Sequence, residues 1–317
     1  MSATVAQVTT SFVMAARDAA STVAETLDSV LAQSDPDFEL IIVDDGSRDA
    51  TPDILAHYAA ADARIRVLPH PESVGLTRSL IAGCAAARGE FIARQDAGDL
   101  SHPRRLELQR ALLTQDASLA FVSCWTQFAG PELEPLYISR GAGVAQRPTS
   151  IIDLSSQNGV LDGPTCHPSV VLRREIYNRT GGYRAEFYFG QDWDLWYRVA
   201  ALGKLQIVPE ALYTARVSPG SISGSWRKAQ EQLGRLSHEA LLARSRGESD
   251  AAILARAAGI RPETMPRREG GQKGLYFIGE ALRHNRDRRA RKYFHAAIRE
   301  QPLYLRAWFR LLQTLLE

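Results

Sequence analysis

Cysteine is scarce and scattered in this chain. Cys84, Cys124 and Cys166 stand far apart with no C-x-x-C pair, so the sequence offers neither a disulfide framework nor a zinc knuckle and fits a reducing compartment. Long apolar runs are missing as well: no window approaches the roughly 18 apolar residues that a membrane span needs. The first stretch, "MSATVAQVTTSFVMAARD", has no basic segment ahead of an apolar core, and the expectation is a cytoplasmic protein. An excess of one charge is also lacking, since the formal charge is only +2, which gives no bias toward nucleic acid. What is present is ordinary for a globular protein: 317 residues, 45% apolar and 23% charged. That length accommodates one large α/β domain with a smaller appendage.

The first 118 residues alternate between two periods. Val8 to Met14 forms a β-branched, apolar run, and Thr22-Val-Ala-Glu25 reads as a capping box opening a helix with Val23, Leu27, Val30 and Leu31 on one face. "FELIIVDDGS" is a continuous apolar run ending in two acids and a glycine, the form of a buried parallel strand. Thr51-Pro52 reads as an N-cap with proline in the first turn. "RIRVL", "LTRSLIAGCAAAR", "EFIAR" and "PRRLELQRALLTQ" continue the alternation as strand, helix, strand and helix. Such a βαβαβαβα order predicts a parallel sheet covered on both faces, with its binding crevice at the carboxyl ends of the strands. Asp44, Asp45, Asp96 and Asp99 all fall at such ends.

From about residue 119 the pattern shifts to shorter strands, with "SLAFVSC", "PSVVLRR", "LQIVP" and "ALYTARV" as candidates and a helix at "DWDLWYRVAALG". After the serine- and glycine-rich "SPGSISGS", residues 226–317 read as almost wholly helical, a module expected to pack on the rest. Its stretch from Gly274 to Leu316 resembles a tetratricopeptide-like helical hairpin with one further helix; a single repeat cannot bury its face alone.

Three separated segments, in order, carry a resemblance to the inverting glycosyltransferases of family 2, which have a GT-A fold. They are "DSVLAQ" with "FELIIVDDGSRDAT", then "ARGEFIARQDAGDLSHPRRLELQ", then "GGYRAEFYFGQDWDLWYRVAALGK" running into "LYTARVSPGSIS". The resemblance covers roughly residues 8 to 225. It implies a GT-A domain over 1–225, with a donor-binding half to about 118 and an acceptor-side half from 119, followed by the all-α extension. The implied activity moves a sugar from a nucleotide diphosphate sugar to an acceptor hydroxyl of a saccharide or lipid-linked saccharide, in surface polysaccharide or glycan assembly. Two rivals come from other classes. A nucleotidyltransferase should open with a glycine-rich, basic phosphate loop, which "MAARDAAST" lacks. A non-catalytic nucleotide-sugar-binding scaffold with a partner-binding helical tail would bind donor without turnover.

Physical chemistry assigns provisional roles within that frame. Asp44 and Asp45 can accept hydrogen bonds from a nucleobase imide and a ribose hydroxyl, or Asp45-Gly46-Ser47 is simply a turn. Arg17, where the family commonly has other residues, could stack on a base or face the diphosphate, or be a solvated loop residue. In "RQDAGDL" Asp96 matches the first acid of the family's Asp-x-Asp, but Gly98 replaces the acid that usually reaches the metal. Asp96 and Asp99 could still hold Mg²⁺ or Mn²⁺ with the diphosphate; alternatively Arg94 neutralises diphosphate charge and Asp99 caps the following helix. The resemblance places the catalytic base at Asp192 of the Gln191-Asp192 pair, at a helix start beside Trp193; Asp194 points elsewhere around the helix. His167 falls near the expected acceptor, and Arg216 is a candidate diphosphate clamp. Arg283, Arg286, Arg288, Arg289, Arg291 and Lys292 concentrate positive charge that could meet an anionic membrane surface from the inner face, or a protein partner, or only solvent.

Overall fold

A computed structural model describes residues 8–141, 163–219, 226–264 and 271–316. From residue 220 on, the expected serine- and glycine-rich linker lies outside the described residues until 226. The sheet runs β1 (Thr10–Ala16), β2 (Phe38–Asp44), β3 (Ile65–Pro69), β4 (Phe91–Asp96), β5 (Leu100–Ser101), β6 (Leu119–Ala129), β7 (Pro135–Ser139), β8 (Val171–Arg173) and β9 (Lys204–Arg216). Spatially the order is β3-β2-β1-β4-β8-β6-β9-β5, with β7 beside β6. The first four strands are mutually parallel. Short β8 runs antiparallel between β4 and β6 and joins the two halves into one mixed sheet. Its helices are α1 (Val23–Leu31), α2 (Thr51–Ala61), α3 (Leu76–Ala86), α4 (Arg105–Gln115), α5 (Arg174–Arg179) and α6 (Gln191–Ala200).

Period-two alternation divides the core. Phe12 and Met14 of β1 and Leu40 and Ile42 of β2 meet Val23, Leu27 and Val30 of α1 on one face. Val13 and Ile41 point to the other, against Leu80 and Cys84 of α3 and Leu195, Trp196 and Val199 of α6. Each such fully buried side chain contributes about 2 kcal/mol by leaving water. Burial on both faces explains why β2 reads as an unbroken apolar run.

Several local expectations are corrected. The Thr22/Glu25 capping box does not form: the Thr22 hydroxyl donates to the Ala19 carbonyl, and Glu25 pairs with Arg216. Thr51 lies inside the first turn of α2, where its hydroxyl accepts from the Ala19 amide at 2.8 Å, and Asp49 accepts from the Thr51 amide at 2.9 Å. Asp99 does not cap α4; the Gln33 side-chain oxygen accepts from the Leu106 amide at 2.8 Å. "LQIVP" and "ALYTARV" form one continuous strand, β9, because its irregular pairing with β6 absorbs the proline between them.

The C-terminal helices are α7 (Arg227–Ser245), α8 (Ala251–Ala258), α9 (Gly271–His284), α10 (Ala290–Glu300) and α11 (Leu305–Leu316). They pack in two places. Ala229, Leu233 and Leu236 of α7 with Ala257 of α8 enclose Phe187 and Phe189 from the loop before α6. The last three helices form their own core and close it on Leu136 of β7. There the buried Glu134 accepts from the Tyr293 hydroxyl at 2.6 Å and pairs with Lys292 at 2.7 Å.

Candidate active site

Strand register builds the site. In β1, Ala16 pairs with Asp44 and Ala15 with Asp96. The two acids therefore end their strands at nearly the same level, one strand apart on either side, with Cα atoms about 10 Å from each other at ordinary strand spacing. A crevice beside the end of β1 lies between them, the place where open α/β sheets bind ligands.

On the β2 side the two aspartates separate in role. Asp44 accepts from the Ser47 amide at 3.2 Å. Asp45 is saturated: it accepts from the Ser73 hydroxyl at 2.7 Å, the Val74 amide at 2.8 Å, the Ser79 hydroxyl at 2.9 Å and the Gly75 amide at 3.1 Å. These bonds tie the loop before α3 to the end of β2. Gly46 permits this, since its φ is +67° and a Cβ there would lie 2.6 Å from the Ser73 nitrogen. Arg17 joins the same network by donating to the Ser73 hydroxyl at 2.7 Å while about half of its side chain stays exposed. Tyr188, which the sequence reading missed, packs its ring over Gly75 from the loop before α6. Asp45→Ala is expected to leave buried donors unpaired and to cost about 3 kcal/mol, measured by urea unfolding.

"RQDAGD" distributes its side chains between both faces of the sheet and the crevice. Arg94 is wholly buried, donating to the Val13 and Gln95 carbonyls at 3.0 and 2.7 Å and pairing with Asp96. It was expected against the diphosphate; the structure sets it beneath the strand ends, where it holds Asp96. Gln95 points to the opposite face and accepts from Ser101 at 2.7 Å and Arg105 at 3.2 Å. Arg105, in the helix expected at "PRRLELQRALLTQ", is also wholly buried and donates to the carbonyls of Arg94 and Pro168 at 2.9 and 2.8 Å.

Asp96 keeps its side chain 37% exposed. Asp99 is buried, with Oδ2 accepting from the Tyr213 hydroxyl and Oδ1 from the Arg216 amide, both at 2.8 Å. Burial, then the charge of Asp96, pushes the Asp99 carboxyl up to about 7. Gly98 turns the chain between the acids at φ +101° and donates its amide to Thr26 at 2.9 Å. The loop is thus built for glycine at this position, because an L side chain is strained there. Arg216, expected as a clamp, has its side chain mostly buried, paired with Glu25 and donating to the Pro131 carbonyl at 3.1 Å.

The opposite wall is the start of α6, entered through Gly190 at φ +63°. Asp192 is partly exposed and Trp193 is 42% exposed, while Gln191 is buried. Burial raises the Asp192 pKa; the amides of Trp193 and Asp192 lower it, Asp96 raises it and Arg94 lowers it. The field of the Asp96–Arg94 pair therefore reaches Asp192. Asp194 is fully buried and bound to Arg198 at 2.5 Å. His167 has its Nε2 2.6 Å from the Tyr183 hydroxyl and its ring edge-on to Trp196; burial and then the charge of Arg94 push its pKa down.

Of the C-terminal basic cluster, Arg283 binds Glu280, Arg289 binds Asp287, Arg291 donates to the Thr314 carbonyl, and Lys292 binds Glu132 and Glu134. Arg283, Arg289 and Lys292 are thus met by carboxylates of the protein itself. Among the described residues no helix is long and apolar enough to cross a membrane, and no three His, Cys, Asp or Glu side chains cluster to hold a metal.

Comparison with known proteins agrees with this architecture. EpsE of Bacillus subtilis, whose name places it among the glycosyltransferases, is 34% identical over 62% of this chain and 68% of its own length. The succinoglycan biosynthesis protein ExoO of Rhizobium meliloti is 29% identical over 67% of this chain and 62% of its own. Among solved structures, a mannosyltransferase from Pyrobaculum calidifontis in complex with GDP-Man and Mn²⁺ superposes with a TM-score of 0.54 at 16% identity, over 97% of this chain and 84% of the other. Residues 11–180, more than half of the chain, match the family model described as glycosyl transferase family 2. The strand-end acids, the loop tied by Asp45 and the start of α6 thus belong to a glycosyltransferase, and the chain is a member of family 2.

Proposed function

We propose that the protein transfers a sugar from a nucleoside diphosphate donor to an acceptor hydroxyl by a single displacement that inverts the anomeric carbon, in the assembly of a polysaccharide or glycan. The observation that carries this reading is the strand register that ends Asp44 and Asp96 at one level on either side of β1, in a chain of glycosyltransferase family 2. A base on one wall and a strand-end acid on the other then act on one substrate. The nucleoside lies toward Asp44 and the exposed part of Arg17, and the diphosphate toward Asp96. Arg216 reaches the diphosphate only by leaving Glu25. Asp192 takes the proton from the attacking hydroxyl as the carbon–oxygen bond forms, and the exposed face of Trp193 offers an apolar platform for an acceptor sugar ring.

A divalent ion fits this crevice through Asp96 and the donor's own oxygens. Asp96 is the accessible carboxylate, both Asp99 oxygens already accept hydrogen bonds, and an ion such as Mg²⁺ or Mn²⁺ readily keeps waters in its remaining positions. Bound there, it would stabilise charge on the leaving diphosphate. The helical C-terminal region, which resembles a tetratricopeptide-like hairpin, buttresses this domain through β7.

The test is a turnover screen of uridine, guanosine and thymidine diphosphate sugars with Mg²⁺, Mn²⁺ or EDTA, followed by NMR of the new glycosidic bond. The expected result is metal-dependent release of the nucleoside diphosphate with inverted configuration. Retained configuration would refute the single displacement, and donor binding without turnover on any substrate would favour a scaffold.

A further inference from the structure

Helix α11 buries only a narrow side. Ala307 and Leu311 join the core formed by Ala297 and Ile298 of α10, and Thr314 is buried beside them. On the other side Leu305, Trp308, Phe309, Leu312 and Leu315 are 75%, 46%, 59%, 58% and 59% exposed, and Leu303 in the preceding turn is 84% exposed. At helical spacing these five residues fall within an arc of about 120°. Single exposed hydrophobics are normal on a protein surface; a contiguous stripe holding two aromatic rings marks an interaction surface.

The charge beside the stripe distinguishes possible occupants. Helix α11 contains Arg306 and Arg310 and no acid. Arg310 pairs with Glu280 at 3.0 Å, while Arg306 is exposed at the border of the apolar arc. A second copy docking by twofold symmetry would lay stripe on stripe and bring two basic borders together without an acid from either helix. An anionic bilayer satisfies both features: the apolar arc enters the acyl boundary, the aromatic rings sit at headgroup depth, and Arg306 meets lipid phosphate.

We propose that α11 is an interfacial docking helix that seats the protein on an anionic lipid surface. This differs from docking through the basic cluster at 283–292, where Arg283, Arg289 and Lys292 are paired with carboxylates, and it does not depend on the stereochemistry of sugar transfer. The full chain is sedimented with vesicles of phosphatidylcholine alone or mixed with phosphatidylglycerol. The expected result is retention by the mixed vesicles. Phe309→Ser with Leu312→Ser, both at exposed positions, should lower partitioning at least about tenfold. Arg306→Gln should lower it about fivefold at low salt, with the difference fading at high salt. Circular dichroism confirms that the variants fold. No retention by the mixed vesicles, or retention unchanged by the double substitution, overturns the proposal. So does a concentration-dependent dimer that the double substitution dissolves in the absence of lipid retention, which would assign the stripe to a second copy.

Discussion

Asp192→Asn is expected to lower kcat by about a thousandfold, within the range for removing a general base, while the affinity for the nucleoside diphosphate stays near that of the wild type. Asparagine matches aspartate in size and suits a helix start, so the wall formed by α6 should persist, but a carboxamide cannot take up the acceptor's proton. The pH profile separates chemistry from structure. Burial and the negative charge of Asp96 raise the Asp192 pKa against the pull of the helix-start amides and Arg94. A base works only when ionised, so activity should rise with pH through a limb placed above the ordinary value of 3.8 and fall away as the solution is acidified. The residual rate of the variant should lack that limb. Near wild-type turnover, or an acid limb that survives the substitution, would remove Asp192 from this role. Asp194 cannot take its place without rearrangement, because its buried carboxylate is committed to Arg198.

The parts of this site that were legible in sequence are those set by local pattern. A buried strand ending in acids announces itself, so Asp44 and Asp96 could be placed at strand ends before any coordinates; β1 then brings them to one level through its register. Polar side chains whose partners are distant in sequence were not legible. Asp45 looks like half of an exposed acidic pair, yet its partners lie 28 to 34 residues further on. Asp99 could not be separated from a metal ligand until Tyr213, 114 residues away, was seen to donate to it. Arg94 was expected against the diphosphate and Arg105 only as part of a helix, because arginine is rarely buried. Both instead donate to open backbone carbonyls, Arg94 to those of Val13 and Gln95 and Arg105 to those of Arg94 and Pro168, which reward a five-donor guanidinium. The signal that could have found Arg105 is its spacing of four from Gln109, which accepts from it at 3.0 Å and donates to the Val122 and Ser169 carbonyls.

That division between local pattern and distant partner bears directly on the two acids of "DAGD". Asp96→Asn is expected to reduce kcat/KM by about a thousandfold, as several kcal/mol of transition-state stabilisation are lost, and to raise the metal concentration needed for half-maximal rate. Asparagine retains an oxygen that Arg94 can donate to, so the buried guanidinium keeps a partner and the melting temperature should move little. Asp99→Asn should behave differently. Its oxygen can still accept from the Arg216 amide, but the Tyr213 oxygen already accepts from the Asp96 amide and the Gln95 side chain, so the bond between Tyr213 and position 99 is lost or weakened. Removing a buried carboxyl also removes the cost of burying its charge and, second, the repulsion from Asp96, which together push Asp99 up to about 7. The expected result is a nearly unchanged metal midpoint with a modest loss of rate from the shifted end of β9. A large shift of the metal midpoint in Asp99→Asn, matching that of Asp96→Asn, would instead make Asp99 a ligand in the position vacated at Gly98. Restoring the usual acid there does not offer a simple rescue, because the φ of +101° at Gly98 would strain any aspartate by about 1–3 kcal/mol. Of the two acids in this loop Asp96 is the accessible one, and the metal affinity in the absence of donor should be weak and rise when a nucleoside diphosphate supplies the missing oxygens.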